Sequence, residues 1–289
     1  MFKKVLDRVW AFDCEWAPDP VSGRMLYNLP DEMEDREVVG KMWEHAREKP
    51  DARAKPDDSA QPYLRTIVCR VVSIVCVERL KQGETVSLRI HSFPNDPKEQ
   101  SQCAERYIIE RFLNGVGKNK PQLVGFNSQS ADLKILVQRG LATGVQAKLF
   151  CRRPDKQWDG SDYFSRYQDC NVDLMDIAAG WGNKALSLDE LATVCGIPGK
   201  IGTSGDRVAD LWLDGRLQEI VNYNQCDAVT TYLVWLRMAH FAGHFTSEEY
   251  VAEQDRVRQE LERRIAAGIG DHFREYLVIW DRLRRFRGL

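Results

Sequence analysis

Val9-Trp-Ala-Phe-Asp13-Cys-Glu15-Trp16 places two acids inside a run that otherwise reads as a buried strand. Strand side chains alternate between faces, so Asp13 and Glu15 point one way while Phe12, Cys14 and Trp16 point the other. Two ionised carboxylates side by side in an apolar setting repel each other and lose hydration, a cost that a cation between them offsets. Hard divalent ions such as Mg2+ and Mn2+ prefer such oxygen ligands. Spacing alone does not distinguish this from a strand end with two surface acids. The same D-x-E recurs at Asp35 and Glu37, in a charged segment that reads as a solvated loop.

With 289 residues the chain can form one large domain plus additions and bury a substantial core. Its formal net charge of -2 excludes a globally basic nucleic-acid binder, so any such contact must be local. The eight cysteines are scattered through apolar segments without a C-x-x-C pair, and read as reduced core residues. The opening M-F-K-K-V-L-D-R-V-W lacks the apolar core of a secretion signal, and no run approaches the roughly 20 residues needed to span a bilayer. A soluble, cytoplasmic protein with no membrane partner is expected.

Residues 17–62 carry many charges together with Pro18, Pro20, Pro30, Pro50 and Pro56, and read as an insertion with one helix near Asp31 to Glu48. Thr66 to Val77 is rich in β-branched residues and predicts a central strand, joined to Thr85–Phe93 by a turn at Lys81 to Glu84. Asp96-Pro97-Lys98-Glu99 has the pattern of a helix start, for a helix ending near Gly115 to Gly117. Leu123 to Phe126 reads as a buried strand and Ser130 to Arg139 as a helix closed by Gly140. Residues 145–170 form a second loop insertion, and Asn171 to Ala179 a short strand turning into a helix. Ser187-Leu-Asp-Glu190 is a capping box for a helix that stops at Gly196. A glycine-rich connection, a long helix over Leu217 to Met238 and a helical tail over Thr246 to Gly268 and Asp271 to Arg287 complete the chain.

Two more acids stand out. In the long helix, Tyr223 and Asp227 are four apart and share a face with Ile220, Thr230 and Val234, which predicts at least half burial. The alternative is a core tyrosine beside a surface acid. Tyr27 and Asp31 repeat the spacing, but Pro30 interrupts any regular helix there. In Val124-Gly-Phe-Asn127-Ser-Gln-Ser-Ala-Asp132, a strand ends at Asn127 and a helix begins near Asp132, where an acid alone would only offset the helix dipole.

In order, spacing and setting, Asp13/Glu15, Asn127/Asp132 and Tyr223/Asp227 resemble the three motifs of the DEDD superfamily of 3′ to 5′ exonucleases, tyrosine branch. N-V-D-L-M-D-I-A, L-D-E-L-A-x-x-C-G-I-P-G-K and Y-N-Q-C-D-A-V-T-T-Y-L-V-W-L-R further resemble stand-alone predicted exonucleases related to the proofreading domain of family B DNA polymerases. The resemblance covers about residues 5–245. It implies an α/β ribonuclease H-like fold, a mixed central sheet flanked by helices, with loop insertions near 17–62 and 145–170. Residues 1–245 would form the exonuclease domain and 246–289 a C-terminal helical extension. Two positions depart from the pattern: Ala131 stands where an aromatic or large residue is usual, and Trp16 where threonine is frequent.

The resemblance implies that Asp13, Glu15, Asp132 and Asp227 bind two Mg2+ or Mn2+ ions, with Asp13 the bridge, and that Tyr223 orients the attacking water. Trp16, Asn127 and Lys200 are the expected substrate contacts, with a solvated loop lysine the alternative for Lys200. Arg152 and Arg153 could extend a backbone groove, with Trp158 or Trp181 stacking on bases. His240 and His244 lack a third ligand and read as a surface pair. The expected substrate is single-stranded or frayed DNA, with an exoribonuclease or a non-catalytic nucleic-acid-binding or polymerase-accessory module as alternatives. A protein partner could dock on the C-terminal helices, although the basic Arg282 to Arg287 reads more simply as a packing helix.

Overall fold

β1 (Arg8–Pro18) is the middle strand of a five-stranded sheet, and its neighbours account for its apolar run. On one side β2 (Cys69–Gln82) pairs with it and β3 (Thr85–Phe93) with β2, both antiparallel. On the other, β4 (Gln122–Gly125) and β5 (Asn171–Asp173) run parallel, giving the order β3-β2-β1-β4-β5. The computed structural model describes residues 3–48, 61–156, 160–165, 167–180, 186–201 and 207–288. Trp158, Trp181 and part of the first insertion lie outside the described residues.

α1 (Pro20–Tyr27) and α2 (Asp35–Glu48) follow β1, α3 (Glu105–Asn119) precedes β4, α4 (Asp132–Ala142) follows it, and the short α5 (Lys148–Cys151) lies on the way to β5. Then come α6 (Leu174–Ala179), α7 (Leu188–Val194), α8 (Val208–Leu213), α9 (Leu217–Phe241), α10 (Ser247–Ala266) and α11 (Phe273–Phe286). Both sheet faces are covered. Val9, Ala11, Val75 and Val77 pack with Tyr232, Leu233 and Leu236 of α9, over which Val257, Leu261, Tyr276 and Trp280 of the last two helices close. Trp10, Phe12 and Cys14 pack the opposite way, with Phe112, Leu136 and Met42. Sandwiched between the sheet and its own neighbours, α9 is buried nearly all round, as an interior helix must be. This mixed sheet between helices is the α/β ribonuclease H-like architecture.

Several boundaries differ from the sequence reading. The helix expected at Asp96-Pro97 starts at Glu105, because Asp96 instead accepts the Lys98 N–H at 2.9 Å and caps a turn. It runs on through Gly115 and Gly117. A Cβ at Gly115 would sit 3.0 Å from Trp10, and one at Gly117 2.7 Å from the Phe150 backbone, so these glycines serve close packing and not termination. Gly140 likewise lies inside α4, which ends at Ala142. Asp35 and Glu37 occupy the first turn of α2, where Asp35 pairs with Arg24 at 2.9 Å, and not a loop. The first insertion also holds α1, capped by Asp19.

Candidate metal-binding active site

The alternation of β1 turns Asp13 and Glu15 toward α9, on the same face as Val9 and Ala11. Between Glu15 and Trp16 the pairing with β2 skips Val72, a bulge of the kind that re-aims side chains beside active sites. Ser73, opposite Glu15, accepts a hydrogen bond at 3.1 Å from the buried Asn224 amide, which fixes α9 against the sheet. Three residues further along that helix, Asp227 reaches the same space. Asp13, Glu15 and Asp227 each offer a carboxylate oxygen within 4.8 Å of the others, the sole such group among the described residues.

Asp132 stands outside that triad and beside it. Pairing of β1 with β4 stops at Ala11, which leaves the Cys14 N–H without a strand partner on that side. The Asp132 Oδ1 accepts it at 3.1 Å, from the first residue of α4. Only 4% of Asp132 is exposed.

Electrostatics identifies the arrangement as uncompensated. Burial, then the charges of Asp132, Glu15 and Asp227, push the Asp13 carboxyl well above its ordinary range. Burial followed by Asp227 and Asp132 does the same to Glu15. Asp132 is raised to about 7 and Asp227 to about 6, both chiefly by burial. An all-oxygen, partly buried donor set that repels itself fits a hard divalent cation, and no single proton or Lys satisfies it equally. Tyr223 is buried and hydrogen-bonded to Asp227, and burial with the neighbouring charges raises its phenol, so it remains neutral.

The expected substrate residues fall at different places. Lys200 is exposed on the loop after α7, and its ammonium acts against the upward shift at Asp13, Glu15 and Asp227. Asn127 follows β4 with a left-handed φ of 59°, a conformation Asn tolerates. Trp16 is half-buried against the opposite core, on the face away from the acids. Arg152 and Arg153 are exposed, with Arg153 3.7 Å from Asp162. His240 stacks on Tyr250 and His244 is exposed.

Asp173 escaped the sequence reading, because an acid before a helix looks like a local cap. It does cap α6 through the Met175 N–H, but it also accepts the N–H groups of Asn127 at 2.9 Å and Gln129 at 3.1 Å. It therefore shapes the loop that delivers Asp132. That loop is tight: a Cβ at Gly125 would lie 2.4 Å from the Ser128 Cβ. Gly125→Ala is expected to cost about 1–3 kcal/mol by overpacking and to weaken metal binding through displacement of Asp132. Thermal melting with and without Mn2+ measures both, and a wild-type metal response would separate Gly125 from the site.

None of the curated proteins matches the chain. Residues 61–280 match the family model described as a predicted 3′-5′ exonuclease related to the exonuclease domain of PolB, a span that holds Asp132, Tyr223 and Asp227 and begins after Asp13 and Glu15. Exonuclease domains of this type use divalent metals, in keeping with the acidic cluster. The chain belongs to this family of predicted 3′-5′ exonucleases, hydrolytic enzymes acting on nucleic acid.

Proposed function

We propose that the protein removes terminal nucleotides from the 3′ end of single-stranded or frayed DNA by a two-metal-ion mechanism of the tyrosine-branch DEDD type. The carboxylate convergence of Asp13, Glu15 and Asp227, with Asp132 alongside, carries this reading. Two bound Mg2+ or Mn2+ ions would supply an activated water and shield the charge gathering on the phosphate and leaving oxygen. Asp13, Glu15, Asp132 and Asp227 would hold them. Tyr223, kept protonated, donates its one hydroxyl hydrogen to Asp227, and its oxygen would orient the water by accepting a hydrogen bond from it.

Lys200 would meet a phosphate and Asn127 would hydrogen-bond near the 3′ terminus. Trp16, next to Glu15 at the bulge in β1 but with its ring on the strand's other face, would reach the terminal base only past the end of the strand. We treat 1–245 as the exonuclease domain and 246–289 as a helical extension on which a protein partner could dock. Eight free thiols suit a reducing, cytoplasmic setting. Among the described residues no helix is long and apolar enough to cross a membrane.

The test is hydrolysis of end-labelled DNA and RNA oligomers, single and double stranded, with Mg2+ or Mn2+, beside an Asp13→Ala control. Stepwise shortening of single-stranded DNA from the 3′ end, lost in the control, is expected. Preferential cutting of RNA would favour the exoribonuclease alternative, and shortening that persists in the control would remove the acids from the chemistry.

A further inference from the structure

The loop Ile197-Pro-Gly-Lys200 is held at both ends by groups outside the four acids and Tyr223. Thr230, one turn after Asp227 in α9, donates its hydroxyl to the Pro198 carbonyl at 2.9 Å, and its oxygen also meets the Tyr276 hydroxyl of α11 at 2.9 Å. This ties the loop to the helix that carries Asp227. At the other end, the Asp189 Oδ1 accepts the Lys200 N–H at 2.8 Å. Asp189 comes from the first turn of α7, where an acid would ordinarily be read as a dipole-compensating residue.

Gly199 shows how close this contact is. A Cβ there would lie 1.9 Å from the Asp189 Oδ1 and 3.0 Å from the Asp189 carbonyl oxygen, so any side chain at 199 would push the carboxylate off this bond. Gly199 has no left-handed φ to explain it; close approach is the reason. A carboxylate bound to a backbone N–H makes a strong, charge-assisted bond. The exposed Lys200 side chain therefore starts from a backbone fixed between Asp189 and Thr230, near enough to Asp13, Glu15 and Asp227 for its charge to act on all three.

We propose that Asp189 is a positioning residue, which holds the Gly199-Lys200 backbone so that the Lys200 ammonium stands over the acidic cluster, where the phosphate of a bound strand lies. This rests on the proposed function for the identity of the phosphate. Asp189 itself is an acid near a polyanion, so a purely electrostatic role would oppose binding. Positioning predicts the reverse sign.

The experiment is fluorescence anisotropy of a labelled oligothymidylate with each full-length variant, without metal and across a salt series, alongside thermal melting. Lys200→Ala should weaken binding on the order of five- to ten-fold and lower the salt slope by about 0.7 for the one lost phosphate contact. Asp189→Ala should weaken it comparably, as should Gly199→Ala, while Asp189→Asn, which keeps an amide oxygen for the Lys200 N–H, should restore most of the affinity. Asp189→Ala combined with Lys200→Ala should be no weaker than Lys200→Ala alone, with all variants melting as folded proteins.

Tighter binding by Asp189→Ala, equal damage from alanine and asparagine, or fully additive losses in the double variant would overturn the proposal. Melting decides the case of an Asp189→Ala chain that fails to fold, where Asp189→Asn and Gly199→Ala carry the comparison. Binding is read without cleavage. A chain whose two residues couple in binding but which cuts nothing would refute the proposed function and leave the positioning role intact.

Discussion

Asp227→Asn is expected to lower turnover on the order of a thousand-fold and, in the same molecule, to raise the melting temperature of the metal-free protein at pH 8. The first effect is the loss of a charge that a cation needs, at the upper end of what single electrostatic groups contribute to catalysis. The second follows from repulsion. Asp132 and Asp227 are raised to about 7 and about 6, and Asp13 and Glu15 well above their ordinary range, with burial the first cause in each. Unfolded carboxyls titrate near 4, so between about pH 4 and 7 the folded chain binds more protons than the unfolded one. Metal-free stability is therefore complete below about pH 4 as far as these groups are concerned, and declines as pH rises through their folded values. Asparagine removes one repelling charge and flattens that decline.

Millimolar Mn2+ should reverse the pattern. An ion binds the deprotonated acids, so its stabilisation grows from pH 6 to pH 8 and reaches about 2.7 kcal/mol where its concentration is a hundred times the dissociation constant. The variant should gain much less. Calorimetry of both proteins at the two pH values, with Mn2+ or EDTA, checks these signs together with a turnover assay. Undiminished turnover, or a wild-type protein that melts higher at pH 8 than at pH 6 without metal, would contradict a self-repelling cation site.

What could be read from the chain was whatever depends on periodicity. Asp13 and Glu15 share a face because strands alternate, and Tyr223 meets Asp227 because a helix brings residues four apart together. The Ser187 capping box was equally local and is present. Less legible was whatever depends on a distant partner. Gly115, Gly117 and Gly140 read as helix stops because sequence does not show that Trp10 or Phe150 presses on two of them. Asp96 looked like a helix cap and closes a turn; Asp173 and Asp189 look like caps and reach across to other loops. A short acid offers the same local signal in every case. Only the fold decides which N–H it finds.

The buried Arg139 network is the second place where a large effect is expected, and it acts on the site through α4. Arg139 lies two turns after Asp132 in that helix. Its guanidinium donates to both Glu105 oxygens at 2.8 and 2.7 Å, to Asp19 at 2.8 Å and to the Ser22 hydroxyl at 2.9 Å, joining α4 to α3 and to the start of α1. Glu105 also accepts the Val71 N–H at 2.8 Å, so β2 is tied in as well. Burial would raise the Asp19 carboxyl, but the Ser22 hydroxyl and Arg139 outweigh it and hold the group below its ordinary range.

Arg139→Ala would strand two buried carboxylates, and breaking such a pair costs about 3–5 kcal/mol. In a chain of this size that is a fall in melting temperature on the order of 10 °C. Arg139→Lys keeps the charge but not the planar fork that reaches four acceptor atoms on three side chains, so an intermediate loss is expected. Because α4 carries Asp132, the alanine variant should also respond less to Mn2+ than its lowered stability alone requires, measured as the metal-induced shift at a fixed distance below each melting point. A variant that melts low yet gains the full wild-type shift would show that the network supports the fold without aiming Asp132. The reduced shift would instead mean that the fourth acid owes its place to an ion cluster at the far end of its own helix.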